Sequence, residues 1–254
     1  MKSYRLLWND DGGRLRDYHP PVPPERFLRD QFACMEGTGV DAFFCALGCC
    51  TGYATAYPTQ VPGAEYLLDR YQAGAKLGNL GFWRMAENLK HLADLGLDYI
   101  GLQQAEARRL GLDFWLHLRM NDWHHAANCA GKDLNLLAGR FYTDHPEYLI
   151  GPAGFEAVPA LAWCVPWLQD FQHEAVRRLR LDILEEACAR YAPDGFQYDF
   201  MRCPGYFKPG GEAAGTAVMT DFIRQSRAAV NRIGAGKGRR IGFSVRVPNT
   251  IEGS

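Results

Sequence analysis

The chain has 254 residues, of which 47% are hydrophobic and 22% charged, and its formal net charge is −1. That length suits one large domain, and the balance is that of a globular enzyme with no basic field to draw nucleic acid or an anionic membrane. No apolar run is long enough to cross a bilayer, and the opening segment is too short in apolar residues for a signal-peptide core, so a cytoplasmic protein is expected.

In chain order, Tyr4–Trp8 reads as a first strand and runs into Asn9, Asp10 and Asp11. Pro23 and Pro24 then open a helix over Glu25–Met35, with Phe27, Leu28, Phe32 and Met35 as its apolar stripe. Val40–Leu47 is the second strand, followed by an irregular stretch, Gly48–Ala75. Trp83–Leu95 places Met85, Leu89, Leu92 and Leu95 at helical spacing and stops at Gly96; a further helix, Tyr99–Leu110, closes at Gly111. The third strand, Asp113–Leu118, leads into a second irregular stretch, Asn121–Gln169. Phe171, Ala175, Leu179, Ile183 and Ala187 recur every fourth residue in a helix over Phe171–Tyr191. Gly195–Phe200 is the fourth strand. A last helix marked by Val218, Phe222, Ala229, Val230 and Ile233 ends before Gly234, and Arg240–Val247 is the fifth strand.

The strands are near-continuously apolar, as parallel strands covered on both faces are, and they alternate with helices. The expected fold is α/β of the (β/α)8 TIM-barrel type, with about five of the eight strand–helix units in a single domain over residues 1–254. The competing fold, an open doubly wound sheet, calls for a phosphate loop or a switch-point site. Gly234-Ala-Gly-Lys-Gly238 does not supply one: it follows a helix and precedes a strand, and no Ser or Thr follows Lys237. Both irregular stretches follow strand C-termini, the end on which this architecture builds its sites. The eight cysteines form no Cys-x-x-Cys pair and are expected as buried thiols in a reducing compartment.

Chemistry concentrates at the same strand ends. Asp199 ends the fourth strand beside Arg202, whose guanidinium would keep it ionised, as a nucleophile or a charge stabiliser facing an oxocarbenium-like transition state requires. An Asp–Arg pair that merely closes the strand is the structural alternative. After the third strand come Arg119, Asn121, Asp122, His124 and His125, donors and acceptors suited to sugar hydroxyls, with Trp123 as a stacking face. Asn9 and Asp10 from the first strand and Arg246 from the fifth complete the expected substrate-binding set. Glu252, just beyond the fifth strand, would hold the proton for the leaving group while Asp199 attacks or stabilises.

The segments "DGFQYDFMRCP", "LHLRMND" and "SVRVPNTIE" resemble the glycosidase family 10-like group of glycosyl-hydrolase-like (β/α)8 proteins, mostly bacterial. The family's fourth strand reads Asp-Gly-hydrophobic-x-x-Asp-aromatic-x-Arg-x-Pro, which Asp194, Gly195, Asp199, Phe200, Arg202 and Pro204 match. The resemblance covers the whole chain, which stops where the family would continue through three more strands, so it implies a C-terminally truncated glycosidase acting on an oligo- or polysaccharide. Strand placement is also similar to the α-amylase family, except that Gln197 stands where that family carries an Arg. Two other readings compete. Asp10-Asp11-Gly12 is similar to the paired acids of metal-dependent polysaccharide deacetylases, but Phe141 stands where a second metal-ligating histidine would precede His145. A non-catalytic sugar-binding remnant is the other. No cofactor and no metal are expected, nor any nucleic-acid or membrane partner; the oligomeric state is not legible.

Overall fold

A computed structural model describes residues 3–48, 53–73, 80–122, 136–152, 165–203 and 205–248. Five parallel strands form one sheet in the order β1 (Leu7–Asn9), β2 (Ala42–Ala46), β3 (Asp113–Arg119), β4 (Gly195–Asp199) and β5 (Gly242–Arg246). Strictly sequential order with every neighbour parallel is that of a half-open (β/α)8 barrel; a doubly wound sheet reverses its order at a switch point. Helices α1 (Pro24–Phe32), α2 (Leu67–Gln72), α3 (Leu80–Asp94), α4 (Tyr99–Arg109), α5 (Arg140–Asp144), α6 (Glu174–Tyr191) and α7 (Glu212–Gly236) connect and cover it. Among the described residues no helix is long and apolar enough to cross a membrane.

Alternation along each strand sorts its residues between two faces. Phe43, Cys45, Phe114, Leu116, Leu118, Phe196 and Tyr198 join the main core beneath the helices, where Phe32 meets Phe43 at 4.7 Å and Tyr198 stacks on Phe222 of α7 at 5.3 Å. The other face carries Phe44 and Trp115, then His117 and Gln197, then Arg119 and Asp199. Across that face Asn9 of β1 reaches Gln197 of β4 at 3.2 Å and Arg246 of β5 at 3.1 Å. The sheet is therefore curled, with this face concave.

Trp115 sets the floor of the concavity. Its indole stacks on Phe44 at 5.0 Å, donates to the Tyr4 hydroxyl at 3.2 Å, and lies flat across β4 and β5 over Gly195 and Gly242. A Cβ at either glycine would run into the ring. Gly195→Ala is expected to cost about 1–3 kcal/mol by overpacking, measured by urea denaturation. An unchanged midpoint would mean that the indole has room to tilt. The neighbouring Asp194 accepts from Phe114 N at 2.9 Å and pairs with Arg239 at 2.5 Å, so the Asp-Gly of the fourth-strand motif serves the end of the strand opposite Asp199.

The structure corrects several expected boundaries. β1 begins at Leu7 rather than Tyr4, because the Asp41 carboxylate takes Arg5 N and Leu6 N while Tyr4 turns its hydroxyl to Asp113 at 2.7 Å. The fourth-strand helix partner α6 starts at Glu174, since Phe171 N is bound to Tyr206 O and Asp170 holds Gln172 N in a turn. The last helix does not stop at Gly234. It continues to Gly236, and the missing side chain of Gly234 admits the returning Arg239 backbone, whose N–H binds Gly234 O at 2.9 Å. The irregular stretches hold α2 and α5. Cys45, Cys188 and Cys203 are buried as expected, while Cys34 is exposed; Cys49, Cys50, Cys129 and Cys164 lie outside the described residues.

Candidate active site at the strand C-termini

β3, β4 and β5 end in register, with Arg119 beside Asp199 and Asp199 beside Arg246. Asp199 is 2% exposed. One carboxylate oxygen accepts from Met201 N at 2.9 Å, which folds the chain back over the strand end, and the other faces Arg246 Nη1 at 3.2 Å. The expected Asp199–Arg202 pair does not form. Arg202 lies three residues on, where the chain has turned toward β1, and its guanidinium stands 3.6 Å from Asp11 instead. Alternation puts Arg246 on the same face as Asp199, so the cross-strand neighbour takes the place expected for the sequence neighbour.

Arg119 is buried and joins two acids, Asp122 at 2.9 Å and Asp11 at 2.7 Å. Burial would raise the Asp11 carboxyl, but the Arg119 and Arg202 guanidiniums outweigh it and hold Asp11 below the ordinary carboxylate range. Asp10 is the converse. Burial pushes its carboxyl upward against the hydrogen bonds from Gly12 N and the Gln31 side chain. That bond to Gly12 closes a turn in which Gly12 adopts φ +73°, a conformation natural to glycine.

Asn121 and Asp122 were expected to offer groups to a sugar, and here the structure differs. Both are fully enclosed. Asn121 donates to Gln169 O and Gly205 O and accepts from Gln169 N and the Tyr53 hydroxyl, at 2.8–3.1 Å, so its amide is saturated within the protein. It clamps together the loops that follow β2, β3 and β4. Beneath it Arg180 of α6, also fully buried, donates to Gln169 Oε1 at 2.8 Å and covers the Tyr53 ring. Asn9, Asp10, Arg119, Arg202, Arg246 and Asp199 do gather at one end of the sheet. His124, His125, Trp123 and Glu252 lie outside the described residues.

Several residues of this face were not among the expected site residues. Gln197 accepts from Asn9 and donates to Ser244 at 3.3 Å, linking β1, β4 and β5 at the position where the α-amylase family has Arg. His117, 1% exposed, bonds Asp10 O through Nε2 at 2.6 Å. Their signal was period two: His117 and Arg119 are polar at alternate positions of an otherwise apolar strand.

Two expected results follow. The Arg202–Asp11 contact is 3.6 Å long between side chains 38% and 63% exposed, so Arg202→Ala should change stability by less than about 1 kcal/mol. A larger drop in the urea midpoint would show a role beyond that contact. The second concerns His117, whose ring burial holds it down to about 4 despite the bond to Asp10 O and the Asp199 charge; Arg119 and Arg246 lower it further. The folded ring resists protonation, so its contribution is intact above the ordinary imidazole value near 6.5 and is lost as pH falls toward 4, by on the order of 3 kcal/mol. Asp10 acts with opposite sign, holding a proton more tightly folded than unfolded. The wild type should therefore lose stability between about pH 6.5 and pH 4.5 more steeply than His117→Gln, and parallel curves would show a ring free to protonate.

No family model matches the chain, and no curated protein does. Among solved structures it is similar to the galactosidase domain of an alpha-galactosidase-sucrose kinase, with 16% identity, a TM-score of 0.43, and coverage of 96% of this chain and 27% of that one. The alpha-galactosidase from Lactobacillus brevis gives 12%, 0.46, 96% and 27%, and a noncanonic maltogenic alpha-amylase from Thermotoga neapolitana gives 16%, 0.46, 94% and 45%. The chain spans between about a quarter and a half of the length of these proteins.

Proposed function

We propose that this chain carries the carbohydrate-binding and nucleophile-bearing half of a glycoside hydrolase barrel, with Asp199 as the carboxylate that attacks or stabilises the anomeric centre of an oligo- or polysaccharide. The observation that carries the reading is Asp199 itself, a buried carboxylate at the C-terminal end of β4. In (β/α)8 enzymes catalytic groups stand at this end of the strands. Arg246 faces the carboxylate at 3.2 Å in the resting site. The guanidinium, 42% exposed, meets Asp199 at 3.2 Å and Asn9 at 3.1 Å, so it can turn to water when an arriving sugar takes its place.

Around Asp199, Asn9, Gln197, Ser244 and Arg202 offer amide, hydroxyl and guanidinium groups suited to sugar hydroxyls, with Trp115 as the floor below. Glu252 remains the proposed proton donor to the leaving group. The test is release of reducing ends from a panel of α- and β-linked oligosaccharides, together with calorimetric titration of the same sugars. Hydrolysis of at least one linkage class supports the reading. Binding without hydrolysis would reduce the chain to a sugar-binding module, and neither would leave Asp199 and Arg246 as a closure of the strand ends.

A further inference from the structure

On the concave face, the ring of His117 has one nitrogen bonded and one without a hydrogen-bond partner among the described residues. His117 stands on that face of β3, between Trp115 and Arg119 along the strand and beside Gln197 on β4. Its Nε2 lies 2.6 Å from a backbone carbonyl, Asp10 O, which only accepts, so Nε2 carries the proton and donates. In the neutral ring Nδ1 is then a bare lone pair, a hydrogen-bond acceptor. Among the described residues it has no hydrogen-bond partner, although it is fully enclosed.

An enclosed acceptor with no donor loses its hydration without return, and such a group calls for an explanation: strain, a catalytic role, or a bound group that completes the bonding. The surroundings argue against a bound cation filling that role. Arg119 from β3 and Arg246 from β5 face the ring, as do Asp199 from β4 and, just past the end of β1, Asp11 and the Asp10 backbone, while β2 contributes the uncharged Ala46 beside it. Two guanidiniums near the ring also disfavour protonating Nδ1, which preserves the lone pair. What fits is a neutral donor, and the donor that a polyol presents is its hydroxyl.

We propose that His117 is a ligand-contact residue whose Nδ1 accepts a hydrogen bond from a sugar hydroxyl seated on the concave face beside Asn9, Gln197 and Asp199. This rests on the carbohydrate reading of the site and names one of its specificity-determining groups. The two ring nitrogens have separate duties: Nε2 ties the end of β1 to β3, and Nδ1 reads the ligand.

The two duties can be separated by substitution. A glutamine amide places its nitrogen near the position of Nε2, so His117→Gln keeps the tie to Asp10 O and loses the acceptor. An asparagine amide places its oxygen near Nδ1, so His117→Asn keeps the acceptor and loses the tie. With methyl glucoside, methyl galactoside and methyl xyloside as probes, His117→Gln should melt like the wild type near neutral pH and bind the preferred sugar about tenfold more weakly. His117→Asn should melt lower and keep affinity within about threefold. In the wild type, the Nδ1 nitrogen resonance of His117 should move on adding that sugar and stay still with its fully O-methylated form, which cannot donate.

If a sugar binds but His117→Gln binds it equally, or the Nδ1 resonance does not move, the inference is overturned while the carbohydrate reading stands. The same holds if Nδ1 is already hydrogen-bonded before sugar is added, since water or a protein donor then satisfies it. If none of the probes binds, both are overturned. His117→Gln alone decides the matter should His117→Asn fail to fold.

Discussion

Asp199→Asn is expected to abolish hydrolysis by several orders of magnitude while leaving sugar affinity within a few fold. The substitution preserves shape and can still accept from Met201 N, but it removes the charge that would meet the developing positive charge at the anomeric carbon. Such an interaction is strongest in the transition state, so its loss lowers turnover rather than binding. The residue is buried and its partner Arg246 is part exposed, so the released guanidinium can turn to water and the fold should survive. Single-turnover rates with the most reactive oligosaccharide of the panel, compared between wild type and variant, read the effect directly. A variant within about tenfold of wild type, only ~1.4 kcal/mol of barrier, would remove Asp199 from the role of nucleophile.

The second large effect falls on stability. Arg119→Met should cost about 3–5 kcal/mol, because it leaves Asp122, fully enclosed, without the guanidinium 2.9 Å away. A buried carboxylate that loses its guanidinium is driven toward the neutral form or toward water, and either course disturbs the loops that Asn121 clamps beside it. The double variant Arg119→Met with Asp122→Leu removes the charge as well as its partner and should recover part of the loss, since removing both members of a buried pair is far less harmful than removing one. Urea unfolding of the four proteins in the cycle checks this. Additive losses would mean that the pair is screened by water and contributes little.

Much of this arrangement was legible along the chain. Near-continuous apolar runs such as Ala42–Ala46 and Gly195–Asp199, separated by helices, specify parallel strands covered by helices, and consecutive strands joined by helical crossovers tend to lie side by side in the sheet. Asp199 could be placed at a strand end because the polar residue follows an apolar run, a local relation that needs no tertiary contact. The same locality explains where the reading failed. Arg202 stands three residues from Asp199 and looked like its partner, yet the chain turns between them, and the guanidinium that reaches Asp199 comes from β5. Asn121 and Asp122, polar and directly after a strand, looked like sugar ligands; the returning loops bring Tyr53, Gln169 and Gly205 onto Asn121, while Arg119, three residues back at the end of β3, takes Asp122.

His117 shows the division most plainly. Within β3 it looks like an interruption of an apolar strand, and its chemistry depends on a backbone oxygen 107 positions away in the sequence. Hydrophobic periodicity is a property of neighbours along the chain, so the sequence by itself determined the strands, the helices, their order and the end of the sheet at which polar groups collect. Which guanidinium meets which carboxylate, which amide is saturated and which ring nitrogen is left with a lone pair depend on how tightly the sheet curls. That curl is set by Trp115 lying on Gly195 and Gly242 and by Asn9 reaching across to Gln197 and Arg246, contacts between residues that only the folded chain brings together.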